Sequence, residues 1–186
     1  MTLHIKNMVS LRCKMAVKAA LDNVGLHYGR VELGEVEVQE NITAEQREQL
    51  KMALSITGLE LMDDKKDILI SKIKSVIVEM VHYEEEVPKE KISAHISKRL
   101  HLSYSYLANQ FSKAMGVTIE HYIIAHKIER AKELIMYDEL NFAEIAYRLN
   151  YSSEAHLSNQ FKKLTGLTPS YFRRIQDKKR IPLEYV

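Results

Sequence analysis

The chain has 186 residues, a formal net charge of +2 and a single cysteine. With 46% apolar and 28% charged residues it has the composition of an ordinary soluble globular protein of one or two small domains. One cysteine excludes an internal disulfide framework and a zinc site built from four cysteines. No apolar run approaches the ~18 residues of a membrane span. Lys6, Arg12 and Lys14 interrupt any secretory h-region, so a cytoplasmic location and no membrane partner are expected. Three Pro and six Gly argue against disorder and long flexible linkers.

The charge is unevenly spread. Residues 1–63 hold 7 Lys+Arg and 9 Asp+Glu, whereas residues 64–186 hold 20 and 16. From Val87 onward the balance is 16 to 10. An acidic first part therefore precedes a basic second part, which hints at an anionic partner for the latter.

In chain order, residues 2–8 alternate, with Leu3 and Ile5 on one face, and predict a strand. Residues 11–24 are rich in Ala and Lys and predict a helix, with Gly25 as its cap. Residues 30–33 and 35–39 alternate around Gly34 and predict a hairpin. Thr43 and Gln46 form a capping box that opens a helix through about Ile56. Gly58 closes it, and Leu59-Glu60-Leu61 reads as a last short strand. The order β-α-β-β-α-β is that of an α+β, ferredoxin-like domain over residues 1–63.

The run Met8-Val9-Ser10-Leu11-Arg12-Cys13 resembles the M-x-C-x-x-C loop of heavy-metal-associated domains, which share this element order. Gly58-Leu59-Glu60-Leu61 resembles their closing strand. In that family two cysteines clamp a soft monovalent ion, and such an ion is held mainly by sulfur. Here Ser10 stands at the first cysteine position. Cys13 with the Met8 thioether is left as a weak remnant, and Cys13 reads better as a half-buried helix residue. No metal and no cofactor are expected.

The second part contains an internal repeat. Residues 106–122 and 156–172 align at an offset of 50. Leu107 meets Leu157, Asn109-Gln110-Phe111 meets Asn159-Gln160-Phe161, and Lys113, Gly116 and Thr118 meet Lys163, Gly166 and Thr168. Tyr122 meets Phe172. Upstream the offset is 49, pairing Ile96 with Ile145, Leu100 with Leu149 and Ser103 with Ser152. Each unit reads as helix, tight turn, helix. The first buries Ile92, Ile96 and Leu100, then Leu107, Phe111 and Ala114. The second opens at Asn141, buries Phe142, Ile145, Ala146 and Leu149, turns at Asn150, and then buries Leu157, Phe161 and Leu164. Ser103, and Ser152 or Ser153, can cap the second helices. This is the helix-turn-helix, whose second helix enters the DNA major groove.

The faces opposite these apolar stripes carry Ser105, Ala108, Asn109 and Ser112 in the first unit. In the second they carry Ala155, Ser158, Asn159 and Lys162, with Glu154 at the edge. Small, mostly uncharged residues allow close approach to base edges, and Asn can pair bidentately with adenine. Lys113, Lys163 and Arg148 are placed for phosphates, as are the hydroxyls of Ser103 and Ser152 beside helix N-termini. Residues 119–137 contain no Gly or Pro and predict one helix of about 19 residues, ~28 Å long. Such a rod can hold two recognition helices in successive major grooves.

Residues 142–172 resemble the signature of the AraC/XylS transcriptional regulators, through the I-A-Y-x-L run, the S-x-x-x-x-L-S-x-x-F-K-K core and G-L-T-P-x-x-F-R. Residues 66–83 resemble that family's opening helix, which places the all-α DNA-binding domain at 64–178 and leaves a tail at 179–186. Asn150 stands where the family usually has Gly. The resemblance implies a bacterial regulator with recognition helices at about 104–115 and 153–165. Its partners would be double-stranded DNA and RNA polymerase. The N-terminal part would take an unknown effector or self-associate. Ile70, Ile73, Ile77 and Met80 recur at heptad spacing, as core or as a dimer seam, of which core packing is the better account. An enzyme is not indicated: the eight His are scattered, with no H-E-x-x-H, Gly-rich phosphate loop or C-x-x-C. The alternative is a metal-responsive sensor or metallochaperone using the N-terminal domain, against which Ser10 argues.

Overall fold

The computed structural model describes residues 1–84, 90–175 and 183–185. The chain divides into two compact units, Met1–Val76 and Ile77–Val186. The tail expected at 179–186 lies outside the described residues except for a 3₁₀ turn at Leu183–Tyr185. Among the described residues no helix is long and apolar enough to cross a membrane.

The first unit runs β1 (Thr2–Lys6), α1 (Leu11–Val24), β2 (Tyr28–Glu32), β3 (Glu35–Val38), α2 (Ala44–Ile56) and β4 (Glu60–Met62). The four strands form one sheet in the order β2-β3-β1-β4, with every neighbouring pair antiparallel. Alternation sets the register: Leu3 lies opposite Val36 and Ile5 opposite Leu61. All four side chains are buried, with Val17 and Leu21 of α1 and Leu50 and Leu54 of α2. Both helices begin where their caps dictate. Ser10 Oγ accepts from the Cys13 amide, and Thr43 and Gln46 close the reciprocal box ahead of α2.

A seventh element, α3 (Lys65–Val78), begins as expected after the sheet, but the division between units falls inside it and not ahead of it. The reason is a close approach at the β2–β3 turn. Gly34 has φ +87°, and a Cβ there would lie 2.7 Å from Ser75 Oγ. Only glycine allows both the left-handed turn and that proximity. Lys72 adds an ion pair to Glu35 at 3.2 Å. The first three turns of α3 thus belong to the sheet.

The second unit starts with the last two residues of α3, Ile77 and Val78, which a π-helical turn at Glu79–Tyr83 continues. Five helices and a short sixth follow: α4 (Ile92–Leu100), α5 (Tyr104–Met115), α6 (Ile119–Tyr137), α7 (Phe142–Arg148), α8 (Glu154–Thr165) and α9 (Pro169–Arg174). The long α6 spans the 19 residues read from its unbroken sequence, starting at the Thr118 cap. It is buried at ten positions, so it is the axis on which the other helices pack. Around its second half Ile128, Ala131, Leu134 and Ile135 meet Ile145, Ala146 and Leu149 of the α7 segment, Leu157 and Phe161 of α8, and Phe172 of α9. The heptad residues Ile70, Ile73, Ile77 and Met80 are all buried within the chain, so they form no exposed seam.

Candidate nucleic-acid interface

The two helix-turn-helix units are α4–α5 and α7–α8. Each buries a matched pair on its second helix, Leu107 with Phe111 and Leu157 with Phe161. The repeat extends to ring geometry. Phe111 meets Tyr122 edge-on with ring centroids 5.3 Å apart, and Phe161 meets Phe172 at 5.5 Å, each pair inclined by 63°. Aromatic pairs in this range favour such arrangements. Both second helices end in a left-handed glycine, Gly116 or Gly166. Two expectations fail here: Ala114 and Leu164 are exposed, Leu164 by 40%. Both sit in the last turn of their helices, which stays open to water.

The turns are similar but unequal. His101 and Asn150, at offset 49, both take left-handed backbone, with φ of 54° and 53°. The caps that follow are Ser103, accepting from the Tyr106 amide, and Ser153, accepting from the His156 amide. Those serines are 50 apart. The second turn therefore carries one extra residue, and the equivalent of Ser103 is Ser153, not Ser152. Ser152 Oγ instead lies 3.0 Å from His156 Nδ1, on the first turn of α8.

The expected base-facing residues fall on one side of each second helix. On α5, Ser105 and Asn109 are exposed, with Ala108 and Ser112 half-buried beside them. On α8, Glu154, Ala155, Asn159 and Lys162 are exposed and Ser158 is half-buried. Asn109 and Asn159 thus occupy the same place in both units, open to solvent and away from the Leu–Phe stripe. The expected phosphate-facing groups Ser103, Lys113, Arg148, Ser152 and Lys163 are likewise exposed.

Neighbouring contacts fix these helices. The Tyr104 hydroxyl donates to Glu120 at the start of α6, and that bond holds the Glu120 carboxyl below its ordinary range. Arg173 of α9 donates to the Leu140 carbonyl at 2.9 Å, pairs with Asp138 at 3.1 Å and lies over the Phe142 ring. Lys127 of α6 was not singled out from the sequence. Its ammonium lies 3.5 Å from the Asn150 carbonyl and 5.1 Å from the centre of the Tyr151 ring, and burial pulls its pKa down. Burial also pushes the Tyr151 hydroxyl up to about 12.

In the first unit, the Met8–Cys13 loop is closed on itself. Ser10 Oγ lies 3.3 Å from Cys13 Sγ, and Asn7 bonds the Gly58 carbonyl at 3.1 Å. Met8 is a core residue, only 3% exposed, so its thioether does not face the solvent beside Cys13.

Two recurrent helix-turn-helix units on one axial helix define the class of the C-terminal unit. Residues 96–175 match the family model of a helix-turn-helix domain. The chain is 29% identical over 110 residues to an HTH-type transcriptional regulator of Bacillus subtilis, YtdP, covering 59% of this chain and 14% of that protein. It is 31% identical over 110 residues to the Escherichia coli HTH-type transcriptional regulator YdiP, covering 59% and 34%. The chain thus spans about a third or less of these relatives' lengths. Among solved structures, the C-terminal domain of AraT, a response regulator from Geobacillus stearothermophilus, shares the fold. Its TM-score is 0.50 at 23% identity, over 64% of this chain and 92% of that one.

Proposed function

We propose that this chain is a sequence-specific DNA-binding transcription regulator of the AraC/XylS type. It inserts α5 and α8 into successive major grooves of double-stranded DNA. The observation that carries the reading is the paired presentation of Asn109 and Asn159 on two copies of one structural unit. Both units are built on a single unbroken 19-residue helix. Ser105, Ala108, Asn109 and Ser112 read one half-site. Glu154, Ala155, Ser158, Asn159 and Lys162 read the other. Ser103, Lys113, Arg148, Ser152 and Lys163 hold phosphates, which fix register without reading sequence. No catalytic role, cofactor or metal is assigned.

The first unit is read as a ferredoxin-like domain related to heavy-metal-associated domains. Its sheet order and the position of its Met8–Cys13 loop support that reading. With Ser10 capping α1 and Met8 in the core, its role is contact with an effector or a second chain. Selection of sites from random double-stranded DNA by the purified protein tests the function. Two conserved half-sites one helical turn apart are expected, about 10 base pairs centre to centre. Recovery of no preferred sequence overturns the proposal.

A further inference from the structure

A cleft in the second unit collects three cations. It is lined by Met80, Val81 and Glu84 from the π-helical turn and its end, and by Ile92 of α4. Lys127 and Arg130 of α6 and the stretch Arg148-Leu149-Asn150 complete it. It therefore lies where the two helix-turn-helix units face each other across α6. The charges in it are not equally compensated. Arg130 is paired with Glu133 on its own helix. Glu84 lies 3.6 Å from Arg99 and 3.8 Å from His95, so its charge is shared outward. Lys127 and Arg148 have no carboxylate partner among the described residues. Lys127 is half-buried, and among the described residues its ammonium meets a carbonyl at 3.5 Å and the Tyr151 ring.

A buried or half-buried ammonium without a counter-charge is costly, and an anion brought to it offsets that cost. Arg adds the planar fork that suits oxyanions. We propose that Lys127 and Arg148 bind a phosphate oxyanion in this cleft, between the two recognition units. The same chemistry is offered by a backbone phosphate of bound DNA and by a free phosphate ion. The α6 side chain comes from the rod and the α7 side chain from the second unit. An anion held between them ties that unit to its axis. The DNA source deepens the DNA-binding reading above; the free source stands apart from it.

Calorimetric titration of the full chain with inorganic phosphate at low ionic strength tests the site, using the parent, Lys127→Met, Arg148→Gln and, as a control, Lys18→Met at an exposed position of α1. Lys127→Met keeps an unbranched side chain of similar length and removes the charge. Phosphate binding by the parent, lowered at least 5-fold in both cleft variants and unchanged in the control, supports the site with a free anion as one occupant. The salt dependence of DNA affinity is measured on the same proteins. A decrease of about 1 in the slope of log affinity against log salt for each cleft variant assigns a DNA phosphate. If neither phosphate binding nor the salt slope changes, the proposal fails. It fails equally if Lys127→Met lowers only the melting temperature, for the ammonium then serves the Asn150 carbonyl alone. The phosphate titration needs no DNA, so its outcome is independent of whether the chain finds an operator.

Discussion

Asn159 and Lys163 lie four residues apart on α8 and are both exposed, yet the two side chains have different physical tasks. An amide can offer a donor and an acceptor in the fork that adenine N6 and N7 demand. An ammonium offers a charge to any phosphate, whatever base lies behind it. Asn159→Ala is expected to cost ~1–3 kcal/mol at the cognate site and to relax preference at one or two base pairs. Lys163→Ala is expected to weaken all sequences alike and to lower the salt slope by about 0.9. Competition titrations against a set of single-base operator variants, repeated at several salt concentrations, separate the two effects. A uniform loss in Asn159→Ala, or an unaltered salt slope in Lys163→Ala, removes that residue from its assigned role. Asn109 and Asn159 were legible in the sequence because a repeat at offset 50 superimposes them. Lys127 was not: one lysine in a helix reads as a solvated charge, and only packing shows that Tyr151 and Asn150 enclose it.

Among the elements, α1 and α6 were read from the chain with the ends they have in the structure. Both have a side-chain cap, a run free of Gly and Pro, and a residue in left-handed backbone just after. Local signals of that kind suffice. The end of α3 had none: its expected helix ran to residue 83, but the last five residues form a π-helical turn, closed by the Glu84 amide donating to the Glu79 carbonyl. The extra residue in the second turn was hidden for a related reason. Ser152 and Ser153 are equally good caps, and the amide of His156 decides between them. How α5 meets α6 yields a pH prediction. The Tyr104 hydroxyl donates to Glu120 and depresses the carboxyl from its ordinary 4.5. A depressed carboxylate pKa contributes stability at pH above its unfolded value, and that stability is lost as pH falls through the folded value. Tyr104→Phe should therefore lower the urea midpoint at pH 7 and flatten its decline below about pH 4.5. Urea unfolding of both proteins from pH 7 to pH 3 measures this; curves that superimpose over that range would show that the bond contributes nothing.

At the scale of the whole molecule, the near-neutral total of +2 is the sum of an acidic segment at residues 1–63 and a basic remainder. Met1–Val76 holds 11 Lys+Arg and 11 Asp+Glu, because Lys65, Lys66, Lys72 and Lys74 of α3 fall on its side of the division, while the unit that carries both helix-turn-helix repeats, Ile77–Val186, holds 16 against 14. What makes that unit more than two weak readers is α6, buried at ten of its 19 positions and so unable to flex without exposing core. A rigid connection gives the second binding event a high effective concentration, but only at the spacing it was built for. Inserting five base pairs between the half-sites rotates one of them by about half a turn, to the far side of the duplex. Affinity should then fall to that of the better single half-site. Inserting ten base pairs restores the face but adds about 34 Å of separation, longer than the ~28 Å of α6 itself, and should not restore affinity. A flexible tether would behave oppositely, recovering most of the loss at ten base pairs. Electrophoretic mobility titrations with the native, five-pair and ten-pair operators distinguish the two, and recovery at ten pairs would mean that α6 does not set the spacing.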